Sequence, residues 1–195
     1  MINAFCALSR FSIRVHRLHK WEEMVQLETW PVGYNRLFAQ RHFRFSDKNN
    51  DILIEGNTDW VVMRFDTRTM ISPQLVVGHL KLGNDIPKVD FETTKLPLVN
   101  ADKAILHVHK TVYSDLDMNG HVNSLKYLDW CFDCLPSKTI LENRLKQIDI
   151  NFQHEIPANT MVDILISKIA HQDYLFNGYL KESGQLSFAV RSQFN

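Results

Sequence analysis

Apolar and polar residues alternate along two stretches of the chain, residues 11–63 and 145–194, and the two stretches resemble each other. Alternation of this kind predicts half-buried β-strands, and the polar runs DKNND (47–51) and KESG (181–184) predict turns between them. The matching apolar positions are 134 or 135 residues apart: Ile13 and Ile148, Val15 and Ile150, Ile52 and Leu186, Ile54 and Phe188, and Trp60 and Phe194. The chain is therefore predicted to contain one antiparallel sheet twice.

The second copy is preceded by further elements. Residues 104–113 alternate like a strand, and a helix is predicted over residues 121–135, where Pro136 ends it. The apolar stripe of this helix is formed by Val122, Leu125, Leu128 and Phe132. Subtracting the repeat offset places the counterparts of this strand and helix before residue 1. The first copy is therefore expected to lack both.

A polar stretch with two prolines, residues 78–103, separates the copies and predicts a linker. We therefore predict an α+β protein with domains at residues 1–77 and 104–195. The first residues, MINAFCALSRF, show neither the positive segment nor the long apolar segment of a signal peptide, so a cytoplasmic location is expected. No apolar run approaches the length of about 18 residues that spans a bilayer, and no membrane association is predicted.

The charges balance, with 22 lysines and arginines against 22 aspartates and glutamates. This balance gives no overall basic field to attract a nucleic acid or a membrane surface. Cys131 and Cys134 form a CxxC motif late in the predicted helix, where we interpret them as core residues rather than a zinc or redox site. His107 and His109 have a spacing that zinc ligands adopt on strands, but no suitable partner pair accompanies them, so no metal is predicted.

The segment SDLDMNGHVN, residues 114–123, places many polar groups just before the predicted helix. Asp117, Asn119 and His121 occupy alternate positions, so in an extended chain their side chains point the same way. Gly120 allows the backbone to approach a substrate closely, and a helix N-terminus favours a developing negative charge. Each residue alone fits an ordinary helix cap, whereas the combination indicates an active site.

The segment DLDMNGHVNSLKYLDW (115–130) resembles the active-site signature of the acyl-acyl carrier protein (ACP) thioesterases, a plant and bacterial family. Residues 19–45 and 57–69 are similar to the N-terminal domain of that family. The resemblance implies two tandem hotdog domains, each an antiparallel sheet around a long central helix, with the first domain lacking its N-terminal strand and helix. It also implies hydrolysis of fatty acyl thioesters to free fatty acid in fatty acid biosynthesis, with acyl-ACP as the partner and no cofactor.

The resemblance assigns catalysis to Asp117, Asn119, His121 and Glu155. Some plant members carry a cysteine directly after the glutamate, but Ile156 follows Glu155 here, so no thiol nucleophile is available at this position. Glu155 and His121 are expected to share the activation of water, while Asn119 orients the carbonyl or the water. Asp117 would orient His121 or another member of the site. Which carboxylate is the base, and whether an acyl-enzyme forms, stay open.

Substrate binding is assigned to Gly120, Asn123, Trp30 and Trp60, although ordinary core packing also fits the two tryptophans. Five arginines make the first domain locally basic and would guide an acidic carrier protein: Arg36, Arg41, Arg44, Arg64 and Arg68. Two alternatives remain, an acyl-CoA thioesterase and a catalytically impaired, truncated homologue that binds acyl chains. A homodimer is also open.

Overall fold

In the computed structural model, the described residues are 3–80, 82 and 86–195. Residues 81 and 83–85 of the predicted linker, and the first two residues of the chain, lie outside them. The chain divides into two compact units, Met1–Thr94 and Lys95–Asn195. The boundary falls within the predicted linker, and the division into two domains and a linker stays a prediction. In the described part of the chain, no helix is long and apolar enough to cross a membrane.

The first unit is an antiparallel sheet with one short helix. Its described elements are β1 (Ala4–Val15), β2 (Val25–Tyr34), β3 (Ala39–Asp47), β4 (Ile52–Arg64), β5 (Met70–Ile71) and α1 (Gln74–Val77). The strand order is β2-β3-β4-β1, and β5 pairs with β4. The predicted turn between β3 and β4 is confirmed, and the Asp47 side chain fixes it by accepting hydrogen bonds from the N–H groups of Asn49 and Asp51 at 2.9 and 3.0 Å.

The second unit is an antiparallel sheet with two helices. Its described elements are β6 (Ile105–Lys110), α2 (Lys126–Asp133), α3 (Ser137–Glu142), β7 (Leu145–Phe152), β8 (Met161–Ala170), β9 (Asp173–Leu180) and β10 (Leu186–Phe194). Single turns of 3₁₀ helix occur at Ala101–Lys103 and Tyr113–Asp115. The strand order is β7-β10-β9-β8-β6, so β6, the strand predicted from residues 104–113, lies at one edge.

The two sheets carry the same irregularity. In the first unit the pairing of β3 with β4 skips Leu53, and in the second the pairing of β9 with β10 skips Ser187. The Leu53 carbonyl accepts two successive backbone N–H groups beyond β1, and the Ser187 carbonyl accepts two beyond β7. Both skipped residues are buried. Because these β-bulges lie 134 residues apart, they reproduce the spacing found in the apolar pattern of the last strands.

The helix after the polar segment is shorter than predicted. It begins at Lys126 instead of residue 121 and ends at Asp133, and α3 follows Pro136 as a separate helix. A long central helix is therefore wrong for the described second unit. The reason is that residues 116–123 bond to one another and to the segment around Ile156 instead of entering the helix.

The buried face of α2 also differs from the predicted stripe. Leu125 is 65% exposed, whereas Tyr127, Trp130 and Cys131 are buried. Tyr127 stacks on Phe188 of β10 with ring centroids 4.6 Å apart. The predicted stripe is therefore wrong at Leu125, whereas Val122 is buried and the Phe132 ring lies 6.0 Å from that of Phe194 on β10. The aromatic rings, rather than the leucines, attach α2 to the sheet.

The segment that follows α1 is bound to the first sheet from residue 87 onward. The indole N–H of Trp30 donates to the Pro87 carbonyl at 2.8 Å, and the Val89 N–H donates to Nδ1 of His42 at 3.3 Å. Burial lowers the pKa of His42, which favours the neutral ring that this acceptor role requires.

Residues 95–100 are bound to the second sheet by two buried asparagines. Oδ1 of Asn151 accepts the Leu96 N–H at 2.7 Å, and Oδ1 of Asn177 accepts the Val99 N–H at 2.6 Å. Leu96 and Val99 are themselves buried against the sheet. This part of the predicted linker is therefore packed and hydrogen-bonded, which its polar composition did not indicate.

Candidate active site

Residues 117–121 form a tight turn, called the motif turn below. The Asp117 N–H donates to the His121 carbonyl at 2.8 Å, and the Gly120 N–H donates to the Asp117 carbonyl at 3.1 Å. Oδ1 of Asp117 accepts the N–H groups of Asn119 and His121 at 2.8 and 3.3 Å. The expected extended arrangement is therefore wrong, because the Asp117 side chain folds the backbone around itself.

These hydrogen bonds also set the charge of Asp117. The N–H of Asn119, followed by the side chain of Asn119 and the N–H of His121, lowers the pKa of Asp117 and favours the carboxylate. The Asn119 amide lies 3.4 Å from Oδ2 of Asp117. Asp117 and Asn119 thus stabilise the turn that carries His121, and in this geometry their polar groups engage each other.

The structure brings His121 and Glu155 together. Nδ1 of His121 lies 3.6 Å from Oε2 of Glu155, and the two side chains are 41% and 69% exposed. The backbone enforces the approach, because His121 forms a β-bridge with Pro157 and the Val122 N–H donates to the Ile156 carbonyl at 2.9 Å. The pair is accessible to water, and its separation allows a water molecule or a small adjustment to connect the two groups.

Gly120 and Asn123 have local roles. Gly120 has φ +78°, and a Cβ at this position would meet nothing within 4 Å. The turn therefore requires glycine for its backbone conformation, and the expected close approach of another group is not seen. Oδ1 of Asn123 accepts the Leu125 N–H at 3.0 Å, which leads the chain into α2.

The N-terminus of α2 does not lie beside residues 117–121. Leu125 precedes the first residue of α2 and makes no side-chain capping bond. His121 lies five positions before Lys126, where α2 begins. The expectation that the helix dipole acts directly beside His121 is therefore wrong, since the dipole's effect is confined to the first turn.

Sequence reasoning missed Tyr127 and Asp115. Tyr127 is buried, stacks on Phe188 of β10 and lies near the backbone of Ile156, next to Glu155. Burial raises the pKa of Tyr127 to about 12, so the phenol stays protonated. Asp115 is 4% exposed and binds three donors. The available signals were an aromatic residue within the predicted helix, for Tyr127, and a second aspartate two positions before Asp117, for Asp115.

The two tryptophans differ in their surroundings. Trp60 lines an apolar cavity of about 200 Å³ in the first unit, together with Cys6, Tyr34 and Leu80. Trp30 is not among the residues that line this cavity, and its indole bonds to Pro87 instead. Trp60 therefore has the setting expected of a pocket residue, and Trp30 has that of a residue holding a loop.

Two of the five arginines are paired with carboxylates. Arg44 lies 2.9 Å from Glu55, and Arg64 lies 3.1 Å from Asp66. These pairs reduce the local positive charge expected from the sequence. Among the described residues, no three His, Cys, Asp or Glu side chains are grouped so that they could hold a metal ion.

Comparison with known proteins identifies the family. The model of the acyl-ACP thioesterase C-terminal domain matches residues 100–195, and that of the acyl-ACP thioesterase N-terminal domain matches residues 6–74. The chain belongs to the acyl-ACP thioesterase family. Both the motif turn and Glu155 lie in the part matched by the C-terminal model.

One relative is the oleoyl-acyl carrier protein thioesterase, chloroplastic, of Coriandrum sativum, which is 25% identical over 195 residues, covering 95% of this chain and 53% of that protein. The chain spans about half the length of the curated relatives it matches.

Two solved structures share the fold. An acyl-ACP thioesterase from Bacteroides thetaiotaomicron has a TM-score of 0.87 at 20% identity, covering 99% of this chain and 77% of that one. A 12:0-ACP thioesterase from Umbellularia californica has a TM-score of 0.84 at 22% identity, covering 99% and 76%. The α+β fold with antiparallel sheet and few helices thus matches solved members of the family.

Proposed function

We propose that this chain hydrolyses fatty acyl-ACP thioesters to free fatty acid and carrier thiol. The observation that carries the proposal is the His121–Glu155 pair, which the backbone around Ile156 holds at the end of the motif turn. Family membership and the names of the relatives support the substrate class. Acyl-CoA hydrolysis and acyl binding without turnover are the alternatives.

The chemistry needs few groups because a thiolate leaves easily. In the proposed reaction, Glu155 and His121 together remove a proton from water, which attacks the thioester carbonyl. The thiolate then departs and is protonated. Asp117 and Asn119 keep His121 in place by forming the turn, and no cofactor takes part. Trp60 is proposed to contact the acyl chain in the cavity of the first unit.

We also propose that the two units are tandem hotdog domains. The shared bulge and the matching orders β2-β3-β4-β1 and β8-β9-β10-β7 support this. Among the described residues, the first unit shows no counterpart of β6 and α2. A cytoplasmic location and a homodimer stay predictions, and the Coriandrum sativum relative is named as chloroplastic.

The first experiment compares acyl-ACP and acyl-CoA as substrates for the parent chain, Glu155→Gln and His121→Ala. Both variants are expected to lose about 100-fold in kcat, the scale of general acid–base catalysis. Glu182→Gln, in the exposed turn between β9 and β10, is the matched control and should equal the parent.

Faster turnover of acyl-CoA than of acyl-ACP would favour the alternative substrate. No turnover of either substrate by folded parent protein, with acyl-ACP still bound, would favour the acyl-binding homologue. Full activity in Glu155→Gln would contradict the assigned pair.

A further inference from the structure

The Asp115 carboxylate joins three elements of the second unit. Its Oδ2 accepts the Val112 N–H at 2.8 Å and lies 3.0 Å from Nε2 of His109 on β6. Its Oδ1 accepts the indole N–H of Trp130 on α2 at 3.3 Å. Since an ionised carboxylate only accepts hydrogen bonds, Nε2 of His109 is the donor. Both oxygens are thus occupied.

Asp115 is charged in this buried place. Burial alone would raise the pKa of Asp115, but the hydrogen bonds from His109, Val112 and Trp130 outweigh it, and the pKa lies below its ordinary value. The His109 ring also stacks on Trp130 with centroids 4.2 Å apart. The two side-chain donors are therefore held side by side in front of one carboxylate.

The backbone of the same residue closes the loop that carries His121. The Asp115 carbonyl accepts the Asn123 N–H at 2.8 Å, and the next residue, Leu116, forms a β-bridge with Val122. Val122 in turn donates to the Ile156 carbonyl at 2.9 Å. A continuous path of hydrogen bonds therefore runs from Asp115 to the residue that follows Glu155.

We propose that Asp115 is a positioning residue for the His121–Glu155 pair, acting through the loop between Asp115 and Asn123. This inference rests on the proposed function. A cap of the 3₁₀ turn would need one oxygen, for the Val112 N–H, whereas here the second oxygen reaches α2. The carboxylate therefore anchors the base of the loop to β6 and α2, and His121, close to that base, meets Glu155.

The test is Asp115→Asn in the full chain. The amide keeps the size of the carboxylate but turns an N–H₂ group toward a donor, so one of the anchoring bonds is lost. We expect kcat on acyl-ACP to fall about 10- to 100-fold with KM little changed, as for a misplaced catalytic pair. Asp129→Asn is the control, because Asp129 is exposed on α2 and pairs with Lys126 at 3.1 Å.

A double variant separates positioning from a general structural role. In the Glu155→Gln background, Asp115→Asn should cause little further loss, since both changes disable the same pair. A fully additive loss would overturn the proposal, and so would a kcat of Asp115→Asn within about twofold of the parent. If Asp115→Asn fails to fold, Trp130→Phe replaces it as the test, because it removes one donor and keeps a ring. Its kcat should fall by less than the value expected for Asp115→Asn. An unchanged kcat of Trp130→Phe would overturn the proposal.

A measurement without substrate distinguishes this inference from the proposed function. Amide hydrogen exchange at Val122 and Asn123 should be faster in Asp115→Asn than in the parent and unchanged in Asp129→Asn. If the parent hydrolyses no thioester, the proposed function fails, and the exchange rates still decide whether Asp115 holds the loop. Unchanged exchange in Asp115→Asn overturns the positioning role even when the parent is active.

Discussion

Asn177→Asp tests how firmly the segment before β6 is bound to the second sheet. Asn177 is fully buried; its Oδ1 accepts the Val99 N–H at 2.6 Å, and its Nδ2 donates to the Phe176 carbonyl at 2.8 Å. An aspartate has the same shape, but its carboxylate has no proton for Phe176. The protonated acid, in contrast, can accept from Val99 and donate to Phe176 as the amide does.

The size of the effect follows from this difference. Burial of a carboxylate without a cation raises its pKa by about 2 to 4 units, and each unit corresponds to about 1.4 kcal/mol. Asn177→Asp should therefore lose about 3 to 4 kcal/mol of unfolding free energy at pH 7, about three units above the unfolded pKa. Because the folded pKa lies above the unfolded one, the loss grows as pH rises from about 4 to the folded pKa and is then constant.

The assay is urea unfolding at several pH values between 4 and 8 on the parent, Asn177→Asp and Asn35→Asp. Asn35 is exposed, and its Oδ1 accepts the N–H groups of Leu37 and Phe38 at 2.9 and 2.8 Å. A carboxylate can keep both bonds there, so this control should be as stable as the parent at pH 7. Equal stability of Asn177→Asp and the parent at pH 7 would refute the reasoning.

Two further predictions concern packing and charge. A Cβ at Gly178 would overlap the Phe188 ring, so Gly178→Ala should lower the unfolding free energy by about 1 to 3 kcal/mol. The control is Gly184→Ala, where a Cβ meets open space at φ +67°, and it should lose only about 1 kcal/mol. Urea unfolding measures both losses. The Glu23 carboxyl, hydrogen-bonded by Arg17, should titrate at about 2 instead of 4.5 by carbon NMR. The stabilisation that ionised Glu23 gives the folded state is complete above pH 4.5 and is lost as the pH falls toward 2. A Glu23 titration midpoint near 4.5 would contradict its pairing with Arg17, and Arg17→Gln should raise the midpoint.

The strands were predictable because alternation and polar turns are local signals. The turn at residues 47–51 was confirmed, and the strand predicted over residues 104–113 is present as Ile105–Lys110. The start of α2 was not predictable, since Val122 and Leu125 have the apolar spacing of a helix, but residues 116–123 satisfy their backbone groups with Asp117, one another and Ile156. Tertiary hydrogen bonds, which one sequence does not display, decide such cases.

The site residues and their roles stay predictions, and the tight turn that carries His121 was not expected from the sequence. His121 and Glu155 were selected from the resemblance, and the structure places them together. Asp115 was missed because its partners, His109 and Trp130, are 6 and 15 residues away along the chain. A buried carboxylate looks the same in sequence as an exposed cap, and only its donors distinguish the two.

The shared bulge shows which residue of the first unit corresponds to Glu155. It aligns the loop after β1 with the loop after β7, so that Leu18 occupies the position of Glu155. In the first unit that loop is closed on itself, because Arg17 binds Glu23 at 2.6 Å and Asp47 at 2.9 Å. In the second unit the loop instead pairs with the motif turn. The same sheet thus supports an ion-paired loop in one copy and, in the other, a loop whose backbone presents a carboxylate to a histidine.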